Sequence, residues 1–164
     1  MDLPPIHLSP VSQSDLDDLV AVRFAAMRPS LERAGRFDPL RARERFTRNF
    51  VPAHTYHIEC MGHRVGFVVL KPDQPIWLLE HLYVLPEHQD LGIGSATLRH
   101  LFAQADQVGR SLRVGALRGS DANRFYLRHG FKLERVDEWD IYYLRQAHAD
   151  FNPASPRMTP VDHP

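Results

Sequence analysis

The chain has 164 residues, with 20 basic and 20 acidic side chains, 43% apolar and 24% charged residues. That size and mix suit one globular domain, and a chain without surplus cations is poorly suited to sequence-independent nucleic-acid binding. A single cysteine, Cys60, excludes an intrachain disulfide, and no run approaches the roughly 18 apolar residues of a membrane helix.

In chain order, Met1-Asp2-Leu3-Pro4-Pro5 lacks the basic and apolar stretches of a secretory signal, so a cytoplasmic protein without a membrane anchor is expected. Ile6 to Leu8 is a short candidate strand. Ser14 is the predicted N-cap of a helix reaching Met27, with Leu16, Leu19, Val20, Phe24 and Met27 at helical spacing. Arg28-Pro29 is expected to end it. A second, arginine-rich helix is predicted from Pro39 to Phe50. Thr55 to Cys60 and Arg64 to Leu70 flank Met61-Gly62-His63, which reads as a hairpin. Ile76 to Leu85 is the longest strand, stopped by Pro86. A helix follows from Ser95 to Val108, then a strand from Leu112 to Leu117. A short helix spans Asp121 to His129, with Gly130 as its C-cap. Phe131 to Val136 and Trp139 to Leu144 are the last strands. The interleaved order implies a parallel pair among antiparallel hairpins, hence a mixed α/β sheet. The domain is expected to cover residues 1–146, with a proline-rich, extended or disordered tail over 147–164.

Between the longest strand and the third helix lies Gln89-Asp90-Leu91-Gly92-Ile93-Gly94-Ser95. A glycine turn feeding a helix N-terminus offers unpaired N–H groups and the positive end of the helix dipole, a site suited to phosphate. A P-loop would need a lysine that is absent here. A dinucleotide fingerprint would need a third glycine where Thr97 stands.

The segment Gln89-x-x-Gly92-x-Gly94, after Leu82-Tyr83-Val84-Leu85-Pro86, resembles the acetyl-CoA-binding motif of the GNAT (GCN5-related N-acetyltransferase) superfamily. Ala122-Asn123-Arg124-Phe125-Tyr126-Leu127-Arg128-His129-Gly130-Phe131 resembles a second block of that family. The resemblance spans about residues 6 to 145. It implies a GNAT fold: a central, mostly antiparallel mixed sheet of about seven strands with four helices, splayed between the fourth and fifth strands. It also implies acetyl-CoA as co-substrate. The backbone from Leu82, Tyr83 and Val84 would meet the pantetheine arm, and Gln89, Asp90, Leu91, Gly92, Ile93, Gly94 and Ser95 the pyrophosphate.

By the same resemblance Tyr126 lies near the sulfur as general acid, and Glu80 matches a strand-four glutamate that some members use as base. Alternation along an unbroken strand puts Glu80 on the face of Leu82 and His81 on the opposite one. Asp90 and Gly119 depart from the pattern, which has a glycine and an asparagine there. Asn123 is a candidate to replace the missing hydrogen bond to pantetheine. Val114 stands where other members carry a fifth-strand base.

The acceptor site is expected among the first two helices and the last hairpin, at Phe24, Arg28, Phe37 and Trp139. The expected reaction is direct acetyl transfer to a primary amine, a small molecule or a peptide amine. A non-catalytic acyl-CoA sensor is the alternative. The ten histidines show no ligand spacing, so no metal is expected. Neither nucleic acid nor membrane is an expected partner, and a homodimer is compatible with the sequence.

Overall fold

A computed structural model of the chain describes residues 2–35, 38–72 and 75–148. In chain order the elements are β1 (Ile6–Pro10), α1 (Leu16–Arg33), α2 (Pro39–Asn49), β2 (Thr55–Cys60), β3 (His63–Lys71), β4 (Ile76–Val84), α3 (Ile93–Gln107), β5 (Ser111–Leu117), α4 (Ala122–Arg128), β6 (Lys132–Val136) and β7 (Asp140–Arg145). Seven strands form one sheet in the order β1-β2-β3-β4-β5-β7-β6. Every pairing is antiparallel except β4 with β5. This is the mixed sheet with four helices that the sequence implies. The expected tail falls mostly on residues 149–164, outside the described residues.

The first helix differs from its prediction at both ends. Ser14 lies inside a short 3₁₀ turn, Gln13–Asp15, and the capping residue is Ser12. Its N–H donates to Asp15 Oδ2 at 2.9 Å. Nor does Pro29 stop α1, which continues to Arg33. A proline inside a helix removes the bond to the carbonyl four residues back. Here that carbonyl belongs to Ala25, which is exposed along with Pro29, so water can satisfy it. The Arg28–Glu32 ion pair at 2.8 Å supports the last turn.

The sheet is covered on both sides. One face carries Ile58, Val68, Leu70, Leu79, Leu112 and Val114 against Leu98, Leu101 and Ala105 of α3, with Tyr126 and Phe131. The other packs Phe67 and Val69 against Leu19 and Val20 of α1 and Phe46 of α2. Strand β3 therefore reads as an unbroken buried run from Val65 to Leu70, as a strand covered on both faces should. Gly66 sits in it for close approach: a Cβ there would lie 2.0 Å from the Tyr83 carbonyl oxygen.

Two irregularities shape the centre. The β4–β5 pair covers only Ile76–Leu79 against Ser111–Val114, after which the strands part. Next to that point β4 bulges: Val69 pairs with His81 but Leu70 with Leu79, leaving Glu80 as the extra residue. A bulge of this kind re-aims side chains, which an alternating reading does not anticipate.

Candidate active site

Leu82, Tyr83 and Val84 pair with Val68, Phe67 and Gly66 of β3 along one edge of β4. Their other edge faces the gap left by β5. Since N–H and C=O groups alternate sides along a strand, that edge can accept an extended, amide-bearing ligand as an added strand. The Gln89 side chain closes the end of the gap by donating to the Val84 carbonyl at 2.9 Å.

Beyond Gln89 the chain turns through two left-handed residues, Asp90 (φ 62°) and Gly92 (φ 83°). Glycine takes that conformation at little cost, and aspartate is among the few other residues that tolerate it. Asp90 is exposed there. The amide of Ala96 is the first to bond back into α3, to the Gly92 carbonyl at 2.9 Å. Those of Ile93, Gly94 and Ser95 have no intrahelical acceptor and crown the helix N-terminus. Both glycines also serve internal packing. A Cβ at Gly94 would lie 3.0 Å from Phe125 Cζ, and one at Gly92 would lie 3.2 Å from Pro4 Cδ. The Ser95 hydroxyl is engaged at 2.8 Å by His129 Nε2. His129 Nδ1 lies 2.7 Å from the Phe125 carbonyl, which can only accept. In a neutral ring Nδ1 then carries the hydrogen, and Ser95 donates to Nε2. What Ser95 offers an anion is its backbone N–H. These free amides and the open strand edge fit a pyrophosphate joined to an amide-bearing arm.

The bulge corrects the expected facing of β4. Leu82 packs with the α3 side of the core, whereas Glu80 and His81 both line a cavity on the opposite side. Glu80 is held by Lys71, Nζ to Oε2 at 2.9 Å. The His81 ring stacks on Tyr83, with Nδ1 3.1 Å from the Tyr83 hydroxyl, which donates to Met27 Sδ at 2.9 Å. Because Tyr83 has one hydrogen to give, His81 Nδ1–H must be the donor between the two. Burial, reinforced by the Arg23 and Lys71 cations, pushes the His81 imidazole down to about 3. It is neutral near pH 7 and too weak a base to serve there. Burial raises the Tyr83 phenol, and the nearby Arg23 guanidinium holds the rise in check.

Tyr126 is 5% exposed, between Phe125, Phe131 and Tyr143. Burial, with Tyr83 adding to it, raises its phenol far above the ordinary range, so it stays protonated at any working pH. Asn123 is engaged within the turn: its amide nitrogen donates to the Leu117 and Ser120 carbonyls at 2.9 Å, and its oxygen accepts from Tyr143 at 2.8 Å. Its side chain closes the β5–α4 turn, which leaves one lone pair on its oxygen as the remaining acceptor. Gly119, in that turn, has φ 80°. Glycine takes that left-handed backbone at little cost.

The cavity holds about 650 Å³, within the range of small-molecule sites. It lies at the parting of β4 and β5. Leu78, Leu79, Glu80, His81 and Tyr83 form one wall, with Gly115 and Leu117 of β5 and Asp140 and Tyr142 of β7 beside them. Opposite stand Arg23, Met27 and Leu31 of α1 and Arg41, Ala42 and Arg45 of α2, with Asp38 before it. The α1 residues recur every four positions, one continuous face across Pro29. Phe24 and Arg28, expected here, belong to the neighbouring face: Phe24 packs on the core and Arg28 on Glu32. Trp139 is not among the lining residues, and Phe37 lies outside the described residues. On α1, Arg23 and Leu31 are contributors that sequence reasoning missed. Their four-residue spacing from Met27 was a usable signal once the helix was allowed to continue.

A family model described as an acetyltransferase (GNAT) domain matches residues 52–133, half of the chain. The chain belongs to the GNAT acetyltransferase family. It is therefore an acyltransferase, with transfer of an acetyl group as its general chemistry. No curated protein sequence matches it. Solved structures share the GNAT fold at low identity. PaiA N-acetyltransferase from Thermoplasma acidophilum, in complex with coenzyme A, is 21% identical with a TM-score of 0.70, covering 87% of this chain and 99% of that one. An acetyltransferase from Thermus thermophilus is 20% identical at a TM-score of 0.70, covering 89% and 99%. The ribosomal-protein-S18-alanine N-acetyltransferase from Escherichia coli is 18% identical at 0.67, covering 88% and 96%. Among the described residues no helix is long and apolar enough to cross a membrane, and no three His, Cys, Asp or Glu side chains group as a metal site.

Proposed function

We propose that this GNAT protein transfers the acetyl group of acetyl-CoA directly to the primary amine of a small molecule, both bound at once. The observation that carries the reading is the juxtaposition at the β4–β5 parting. An open strand edge and a crown of free amides lie on one side, and the 650 Å³ cavity with Glu80 on its wall lies on the other.

Acetyl-CoA supplies a thioester, whose thiol leaving group needs only modest help. The amides from Leu91 to Ser95 hold the pyrophosphate, and the free edge of the Leu82–Val84 segment, through the backbone of Leu82 and Val84, holds the pantetheine. The Leu82 N–H stabilises charge developing on the acetyl oxygen. The Tyr126 phenol, protonated throughout, donates to the departing sulfur. Glu80, brought to the cavity wall by the bulge, accepts a proton from the acceptor amine, with Lys71 fixing its carboxylate. His81 has no share in the proton transfer, because its imidazole is too weakly basic. A cavity of about 650 Å³ walled by two helices suits a small acceptor.

The test is thiol release from acetyl-CoA over a panel of polyamines, aminoglycosides, amino acids and peptide N-termini, beside calorimetry with acetyl-CoA. Saturable release with a small amine is expected. Binding of acetyl-CoA without release on any amine would reject the transferase reading.

A further inference from the structure

The charges around the acceptor cavity are divided. Its acidic groups on the strands, Glu80 and Asp140, stand beside the parting of the sheet, whereas α1 and α2 contribute Arg23, Arg41 and Arg45 from across it, with one carboxylate, Asp38, spent on capping α2 through the Arg41 N–H. Arg41 and Arg45 are exposed, one turn apart. Arg23 lies deeper. Its Nε and Nη1 are buried and make no hydrogen bond among the described residues. It sits 5.9 Å from the centre of the Phe46 ring, lowers the His81 imidazole and reaches the Tyr83 phenol as a hydrogen-bond partner, which leaves Nε and Nη1 as its unused donors. Burying a cation with unused donors is costly, and a bidentate oxyanion is the partner that matches a guanidinium fork best.

We propose that the acceptor is an amine that also carries an oxyanion, a carboxylate or a phosphate, and that Arg23 anchors that group. The proposal rests on the transferase reading above and narrows its substrate class. The amine faces Glu80 at the sheet, and the oxyanion faces the helices. Arg41 and Arg45 draw such an acceptor toward the cavity. An acceptor with cationic groups at both ends, such as a polyamine, would set one of them against Arg23 and is disfavoured.

The experiment compares matched acceptors on the intact protein by thiol release. The pairs are amino acids beside the same amines without the carboxylate, and O-phosphoethanolamine beside ethanolamine. The first pair tests the carboxylate and the second the phosphate. At least one oxyanion-bearing series should exceed its partners about 10- to 100-fold in kcat/KM, the scale of a charge-assisted hydrogen bond. In Arg23→Met that preference should disappear through KM for the acceptor, with KM for acetyl-CoA within about twofold. Equal use of both members of each pair by the wild-type protein, or a preference that survives Arg23→Met, overturns the proposal while leaving acetyl transfer intact. Thiol release with neither class, despite acetyl-CoA binding, rejects the underlying transferase reading and this proposal with it.

Discussion

Acid should destabilise this protein earlier than its carboxylates alone would require, through His81. The imidazole lies at about 3 in the folded chain against 6.5 for an ordinary histidine. The folded state therefore binds no proton here at a pH where the unfolded chain binds one. Stability is complete above pH 6.5 and falls as the pH drops toward 3. The slope is at most about 1.4 kcal/mol per pH unit, so the loss reaches about 2 kcal/mol at pH 5. That is a large part of the 5–15 kcal/mol typical of a domain. Asp15, Asp106 and Glu134 are all held below their ordinary values, Asp15 by the Ser12 N–H, Asp106 by Arg145 and Glu134 by Arg113. Their contributions are present above those ordinary values, about 4 to 4.5, and are lost only as the pH falls below them. The interval from 5 to 6.5 is thus free of them. Urea unfolding at pH 7.5 and 5.0 measures the effect, with His81→Gln as comparison because its amide can still meet the Tyr83 hydroxyl. The wild-type protein should lose about 2 kcal/mol more than the variant between the two pH values. Equal losses would show that the ring is not kept neutral and would return His81 to the candidates for general base.

Three further outcomes are expected. Tyr126→Phe should lower kcat about 10- to 1000-fold with acetyl-CoA binding nearly unchanged, and undiminished turnover would remove the tyrosine from the mechanism. Gly66→Ala should cost at least about 3 kcal/mol in chemical unfolding, since its Cβ would fall 2.0 Å from the Tyr83 carbonyl oxygen and the strands must separate. Asp90→Gly should tighten acetyl-CoA binding by up to about fivefold at low salt, a gain that shrinks as salt rises. Calorimetry showing no change at low salt would mean that the carboxylate points away from the phosphates.

Where periodicity and turn chemistry agree, the fold was legible from the residues. The hairpin at Met61-Gly62, the glycine turn before α3 and the Gly130 cap stand where their sequence signals put them, all with positive φ at the glycines. Two local rules failed because tertiary context outweighed them. Pro29 reads as a stop, but an exposed Ala25 carbonyl lets α1 continue through it. Glu80 and His81 read as facing opposite ways, but the bulge turns both to the cavity. No residue of β4 announces that bulge, since it depends on how β3 meets the strand. On α1 the cavity is lined by Arg23, Met27 and Leu31, whereas Phe24 and Arg28 lie on the neighbouring face, and Leu31 is reached only because the helix continues past Pro29. Asn123 shows a different limit. Residue type marked it as a hydrogen-bonding candidate, but only the folded turn reveals that its bonds are already made.

The short β4–β5 seam has a mechanical side. Four residue pairs are all the hydrogen-bonded ladder that joins the four strands β1 to β4 to the three strands β7, β6 and β5. A molecule laid along the open edge would extend that seam, acting as a removable length of strand. In hydrogen exchange the amides on the open edge beyond Leu79 should be among the fastest of any strand residues in the free protein. They should slow sharply once the co-substrate is bound, while those facing β3 change little. Binding would then raise the resistance of the whole sheet to unfolding by mass action. The protein would be most rigid when loaded and would loosen along one line when product leaves.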